Sequence, residues 1–341
     1  MSYELGAMAY DLFPYDLPPM NATDGILEVL YDREGGYVAL DELAREGGLD
    51  RAGVARRLDD LRRLGQELEF SPAGGVRLPR PVRLAPVLIE RRLGVSRVGR
   101  SVVCFDEVDS TNDVALDAMR QADADGLVVL AESQRSGRGR QGRRWVCPPG
   151  SGILMSVLLL DPPGRQRPRR EAMTVAAGLA VAEAVEMSVG LACGLKWPND
   201  VLFEGAKFAG VLAETRTAGG VCATVIGIGV NVNAAPPPEA VDRPATHLAD
   251  HLAGPAERVE IVRALLTRLD EWVGRVAAGQ LDELHRGFVA RCRMINERVT
   301  VRCGGRLHTG RVLDVDPLAG LVLCYDDGSR AYLPAEASSV V

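Results

Sequence analysis

The chain has 341 residues, 47% of them hydrophobic and 25% charged, with a formal net charge of -6, the balance of a soluble globular protein of two or three domains. That acidity excludes a general attraction to nucleic acid or anionic membrane, and no stretch reaches the ~18 to 20 continuous apolar residues of a membrane span. Residues 1–20 have Glu4, Asp11 and Asp16 but no basic region of a signal peptide, and seven scattered cysteines without a CxxC pair read as buried thiols, so a cytoplasmic location is expected.

Residues 1–22 mix Tyr, Pro and Met without periodicity and are expected to form a loose arm. From Thr23 the pattern turns helical, with Ile26, Leu27 and Leu30 on one face and Thr23 or Asp24 as the cap. Gly35-Gly36 breaks it. A second short helix over 40–45 ends at Gly47-Gly48. Asp50 can cap a third, whose Val54, Leu58, Leu61 and Leu64 recur at helical spacing until Gly65. An alternating hairpin over 67–78 then completes a winged helix-turn-helix over 23–82, with Pro79 and Pro81 marking the exit.

The third helix carries Arg51, Arg56 and Arg57, candidate DNA contacts, followed by Arg62 and Arg63. Residues 21–80 nevertheless hold twelve acids against nine arginines. Operator binding would therefore need the acids to point away and a homodimer to double the contact. The same fold also serves as a protein-interaction module.

The segment 84–291 alternates strands (101–105, 126–131, 153–160, 221–230) with helices (112–121, 171–189, 258–278). Several strands are joined too closely for helical crossovers, so the expected fold is an α/β (α+β) domain with a mixed sheet. Over 293–341 the period changes to two: Val299, Val301 and Cys303, then Leu321, Leu323 and Tyr325, with a tight turn at Asp327-Gly328. A small SH3-like β-barrel is expected there.

Three segments carry chemistry. The run Gly137-Arg138-Gly139-Arg140-Gln141-Gly142-Arg143-Arg144-Trp145 follows a predicted strand. Glycines let backbone N–H groups approach an anion, and arginine forks suit phosphate and carboxylate oxygens. A flexible loop or an RNA-binding tract is the plain alternative, but this run is short and lies between two apolar strands. Next comes Lys196-Trp197-Pro198-Asn199-Asp200, followed after a turn by Lys207-Phe208-Ala209-Gly210. These are the only two lysines among 40 basic residues, and a lysine places a point charge that a planar guanidinium cannot. Asn199 and Asp200 can orient a nucleotide or hold Mg²⁺ through oxygen. The third segment, Asp109-Ser110-Thr111-Asn112-Asp113, opens a helix. It reads either as an ordinary N-cap or as hydroxyls and an amide aimed at a polar, uncharged ligand group.

Read together with Gln134 and Gly227-Ile228-Gly229-Val230-Asn231, these segments resemble the biotin–protein ligase family. The resemblance runs from about Gly25 to the C-terminus and takes in the winged helix, as in ligases that double as biotin operon repressors. It implies that Ser110, Thr111, Asn112 and Gln134 bind the biotin ureido ring. Gly137, Arg138, Gly139 and Arg140 would fold over biotin, and Lys207 and Gly210 would sit by its carboxylate. Arg140, Arg143, Trp145, Lys196, Asn199, Asp200 and Asn231 would touch ATP or the adenylate. Lys207, Arg140 and Arg143 would be catalytic, with Asp200 as the Mg²⁺ ligand. The implied partners are a biotin carboxyl carrier protein, operator DNA and a second copy of the chain. A lipoate or octanoate ligase and a pure regulator are the competing readings. His247 and His251, four apart, lack a third ligand in reach, and His285 and His308 need no function.

Overall fold

The computed structural model describes residues 24–121, 123–161, 170–241 and 245–340. The expected arm over 1–22 lies outside them. Three helices open the fold: α1 (Asp24–Asp32), α2 (Leu40–Glu46) and α3 (Arg51–Arg63). Asp50 caps α3 by accepting the Gly53 N–H at 2.6 Å. Val54, Leu58 and Leu61 face inward from α3 at helical spacing. Three short strands, β1 (Val38–Ala39), β2 (Glu69–Phe70) and β3 (Gly75–Arg77), form a sheet with β3 in the middle.

A short helix, α4 (Pro86–Glu90), leads into the central sheet. Its strands are β4 (Ser101–Val108), β5 (Leu127–Gln134), β6 (Gly152–Asp161), β7 (Gly194–Lys196), β8 (Asp200–Phe203), β9 (Ala206–Ala218) and β10 (Val221–Asn231). Their spatial order is β4-β5-β6-β10-β9-β8-β7. Only β4 and β5 pair in parallel, across helix α5 (Thr111–Asp117), so the sheet is mixed as expected. The predicted helix over 112–121 is shorter in the structure: after Asp117 it tightens into a 3₁₀ turn at Ala118–Arg120.

Period-two alternation sends the strand side chains into two cores. Val128 and Leu130 of β5 face one side of the sheet, while Leu127, Val129 and Ala131 face the other, against α5. The first side is covered by α6 (Arg170–Val189) and α7 (Arg258–Ala277). Among the described residues α6 is the one helix long and apolar enough to cross a membrane, yet 67% of its most apolar window is buried inside the protein. It is apolar on nearly all sides because the sheet lies on one flank and α7 on another. Helix α8 (Leu281–Arg291) was not legible in the sequence, since it buries little beyond Leu284 and Phe288.

The chain ends in a five-stranded antiparallel sheet of β11 (Arg298–Cys303), β12 (Arg306–Asp316), β13 (Gly320–Cys324), β14 (Arg330–Pro334) and β15 (Ser338–Val340). Val301, Val312, Leu321 and Leu323 are fully buried in it. Tyr325 lies just past β13, in the turn closed by Gly328 at φ +80°.

The N-terminal helices and the chain that follows them are tied to α7 and to the end of α4 by polar contacts. Tyr31 donates its hydroxyl to Glu260 at 2.6 Å, Arg80 donates to Glu257 at 2.8 Å, and Arg91 forks onto Asp32 at 2.7 Å. Glu257 also caps α7 through the Val259 N–H.

Candidate active site

The site lies on the α5 side of the sheet, where the side-chain row of β10 shrinks. Ala223 and Val225 fill the core under α5, but the next positions in that row are Gly227 and Gly229. A Cβ on Gly227 would come 2.4 Å from Asn112 Oδ1, and one on Gly229 would come 2.2 Å from Trp145 Cε2. These glycines therefore form a floor on which an amide and an indole rest.

The polar end of the cavity is built at the start of α5. Ser110 occupies the N-cap position with extended backbone, yet its hydroxyl makes no capping bond; it is 3% exposed and lines the cavity. The ordinary cap reading is thus set aside. Thr111 donates its N–H and its hydroxyl to Gln134 Oε1, at 2.8 and 3.1 Å. Ser156 Oγ lies 2.7 Å from Thr111 Oγ1 and 2.6 Å from Asn112 Oδ1. Asn112 donates Nδ2 to Glu214 Oε2 at 2.5 Å.

The glycine-arginine run folds back on itself as a loop. Gly139 N–H donates to Arg143 O at 2.7 Å, and Trp145 N–H to Gly137 O at 2.9 Å. Arg138 is fully engaged, forking onto Asp113 at 2.6 and 2.8 Å and reaching Glu214 at 3.1 Å. The Asp113 carboxylate, opposed by partial burial and helped by Glu214, holds this guanidinium more strongly protonated than usual. Arg140 differs: burial, then the charge of Arg170, pushes its guanidinium below its ordinary value. Neither Arg140 nor Arg143 forms a salt bridge with a described residue, so both are left with positive charge to offer an anion.

The opposite wall comes from the β7–β9 hairpins. Lys207 Nζ lies 2.6 Å from Asp200 Oδ1 and 5.4 Å from the centre of the Trp145 ring. Gly210 leaves room for both, because a Cβ there would lie 3.0 Å from Lys207 Nζ and 3.2 Å from Trp145 Cζ3. Asn199 pins the hairpin by donating Nδ2 to Val211 O at 2.9 Å. Trp197 is 1% exposed, packs in the core and lends an edge to the cavity wall.

The structure thus brings Ser110, Thr111, Asn112, Gln134, Arg138, Gly139, Arg140, Arg143, Trp145, Asn199, Asp200, Lys207 and Gly210 around one cavity. Gly137 lines an adjoining cleft. Lys196, at the end of β7, is not part of the cavity wall. Asn231 is buried at the end of β10 and donates to Thr246 O at 3.1 Å, and its Oδ1 has no partner among the described residues. The sequence reading missed Glu214 and Ser156 as site residues, and gave Gly227 and Gly229 no role beyond the segment that carries the resemblance. Ser156 was visible as a lone polar residue in an apolar strand, and the glycines as every second residue of another. Glu214 carried no such mark. Away from the site, His251 meets Thr246 at 2.8 Å and His247 meets Asp250 at 3.1 Å, and no group of three or more metal-ligating side chains occurs among the described residues.

The cavity thus has a neutral polar end and a cationic end, with an indole resting on a glycine floor between them. The biotin/lipoate A/B protein ligase family matches residues 104–231. The chain is 37% identical over 264 residues to the biotin–[acetyl-CoA-carboxylase] ligase of Mycobacterium tuberculosis, covering 73% of this chain and 93% of that protein. It is 29% identical over 246 residues to the bifunctional ligase/repressor BirA of Bacillus subtilis, covering 71% of this chain and 75% of that one. The structure of the biotin protein ligase of Aquifex aeolicus in complex with biotin and ATP superposes with a TM-score of 0.60 at 27% identity, over 70% of this chain and 98% of that one. The chain belongs to the biotin/lipoate A/B protein ligase family, within its biotin–protein ligases.

Proposed function

We propose that this chain condenses biotin with ATP to give biotinyl-5'-AMP and pyrophosphate, then transfers the biotinyl group to a lysine of a biotin carboxyl carrier protein. The observation that carries this reading is the polarity of the cavity. Hydroxyls and an amide stand at one end, where Ser110, Thr111, Asn112 and Gln134 suit a ureido ring. Arg140, Arg143 and Lys207 stand at the other, where a carboxylate and an α-phosphate must meet.

Two anions approach each other in the first step, so the chain's task there is electrostatic. Lys207, oriented by Asp200, and Arg140, held half-buried without a salt bridge to a described residue, offset the repulsion and stabilise charge on the five-coordinate phosphorus. Gly137, Arg138, Gly139 and Gly210 line the biotin side of this arrangement. Trp145, Asn199 and Asp200, which line the cavity, serve the nucleotide, whereas Lys196 and Asn231 lie outside its wall and are assigned no contact with it. Among the described residues Asp200 is the one carboxylate in the cavity wall, which fits Mg²⁺ held mainly by phosphate oxygens. When bound, Mg²⁺ would lower the negative charge of the triphosphate. In the second step the acceptor amine attacks the acyl carbon, the C–O bond to phosphate breaks and AMP leaves. The adenylate is already activated, so positioning suffices and no serine or cysteine nucleophile is required.

The domain reading extends this proposal: a winged helix-turn-helix over 23–82, the catalytic unit over 84–291 and an SH3-like module over 293–341. A cytoplasmic homodimer that also represses transcription is supported by the likeness to a protein named ligase/repressor and by arginines on α3. The test is pyrophosphate release from Mg-ATP with biotin or octanoate. Biotin-dependent turnover is expected, and turnover with octanoate alone would overturn the reading.

A further inference from the structure

We infer that Glu214 sets the ligand preference of the polar end, by fixing the Asn112 amide so that the pocket reads a cyclic urea rather than an aliphatic chain. The inference rests on the biotin reading above. Glu214 stands on β9 opposite Val225, two positions along from the Leu212–Gly227 pair. Its Oε2 accepts from Asn112 Nδ2 at 2.5 Å and from Arg138 Nη2 at 3.1 Å.

A carboxylate can only accept, so it selects one of the two orientations of the neighbouring amide. With Nδ2 turned to Glu214, the carbonyl oxygen of Asn112 lies over Gly227, within 2.4 Å of where a Cβ would stand, and 2.6 Å from Ser156 Oγ. The floor therefore presents an acceptor at a residue only 4% exposed. A cyclic urea brings N–H donors for that oxygen and a carbonyl for the Ser110 hydroxyl. An aliphatic acid brings neither and would leave Asn112 Oδ1, which already accepts from the Ser156 hydroxyl, with one of its two lone pairs unused, a weaker form of the penalty by which a hydrogen-bonding site rejects an apolar analogue. The charge on Glu214 is balanced by Arg138, which Asp113 also holds. Glu214 thus acts as a positioning residue, through Asn112, and is separable from the loop clamp made by Asp113.

The experiment is calorimetric titration of the full chain with biotin and with octanoate, together with steady-state pyrophosphate release. Wild type is compared with Glu214→Gln, Asp113→Asn, Asn112→Ala and the Glu214→Gln/Asn112→Ala double variant. Glu214→Gln should weaken biotin about 30-fold while octanoate is unchanged or tighter, raising the KM for biotin and leaving that for ATP. Asp113→Asn should keep the biotin-to-octanoate ratio. The double variant should lose no more than Asn112→Ala alone. Equal weakening of both acids by Glu214→Gln, or additive losses in the double variant, would overturn the proposal. Should Glu214→Gln fail to fold, Asn112→Ala must by itself shift the ratio toward octanoate, and an unshifted ratio overturns it. Wild-type protein that binds no biotin would instead overturn the parent reading.

Discussion

Lys207 and Gly229 serve the same cavity by opposite means, one by what it carries and the other by what it lacks. Lys207 supplies a compact charge beside Asp200. Lys207→Ala should reduce adenylate formation at least 100-fold, an effect of the size expected for one electrostatic contact in a transition state. Its melting temperature should stay within a few degrees of wild type, and pyrophosphate release measured beside a thermal melt checks both. Gly229 allows the Trp145 ring to lie against the strand, since a Cβ there would fall inside van der Waals contact. Gly229→Ala should displace the indole and raise the KM for ATP about tenfold or more, the cost of roughly 1.4 kcal/mol of lost fit. A wild-type KM in that variant would remove Trp145 from its assigned place. Lysine usage pointed equally to Lys196 and Lys207, of which Lys207 alone lines the cavity, while the glycine-arginine run was marked by its residue types. Glu214 was not, because a strand glutamate has no local signature and gains its role only where β9 faces α5.

At the scale of elements, a short connection depends on one carboxylate. Asp270 on α7 accepts the N–H groups of Ser96, Arg97 and Val98 at 2.7, 2.8 and 2.8 Å, and the Ser96 hydroxyl at 2.9 Å. Burial alone would raise its carboxyl, but the backbone donors of Ser96, Val98 and Arg97 overcome it and leave it below the ordinary 3.8. A carboxyl depressed in the folded state stabilises above its unfolded value, and that stability is lost as the pH falls below about 4 through the folded value. Asp270→Ala should cost about 2 kcal/mol at neutral pH, allowing for partial solvation of the group. It should also flatten the acid limb of the stability profile. Urea melts at pH 7 and pH 3 check this, and an equal loss at both would rule it out. The strongly apolar strands and α6 were readable from pattern, whereas α4 and α8 escaped. Their few buried positions do not establish a period, and their helicity depends on packing against α7 and its neighbours.

Across the whole molecule, apolar residues of the N-terminal helices join the same cluster as the central sheet and the C-terminal strands. Beneath the sheet-to-helix junction, Arg258 donates to Glu132 at 2.5 Å, with both side chains almost fully buried, so the start of α7 is fastened to β5. Charge at the opposite end is less committed. Arg51 forks onto Asp41, and Arg57 and Arg63 meet Asp60, while Arg56 is exposed and forms no salt bridge with a described residue. DNA affinity through this face should therefore be modest and strongly weakened between 50 and 200 mM salt, as anisotropy of a labelled duplex would read. Arg56→Ala should lower the slope of log K against log salt by about one, the share of one phosphate contact. An unchanged slope would remove α3 from the DNA face.

The sequence by itself determined the chemical parts: which segments carry charge, glycine or hydroxyl, where the pattern changes from 3.6 to two, and which family such motifs resemble. Those are local properties, written in residue type and spacing. Only the tertiary structure decided which parts meet. The parity of β9 and β10 brings Glu214, Gly227 and Gly229 under Asn112 and Trp145, while Lys196 stays outside the cavity wall and Lys207 enters it. Facing across a sheet depends on register between strands distant in sequence, and no single segment contains that information.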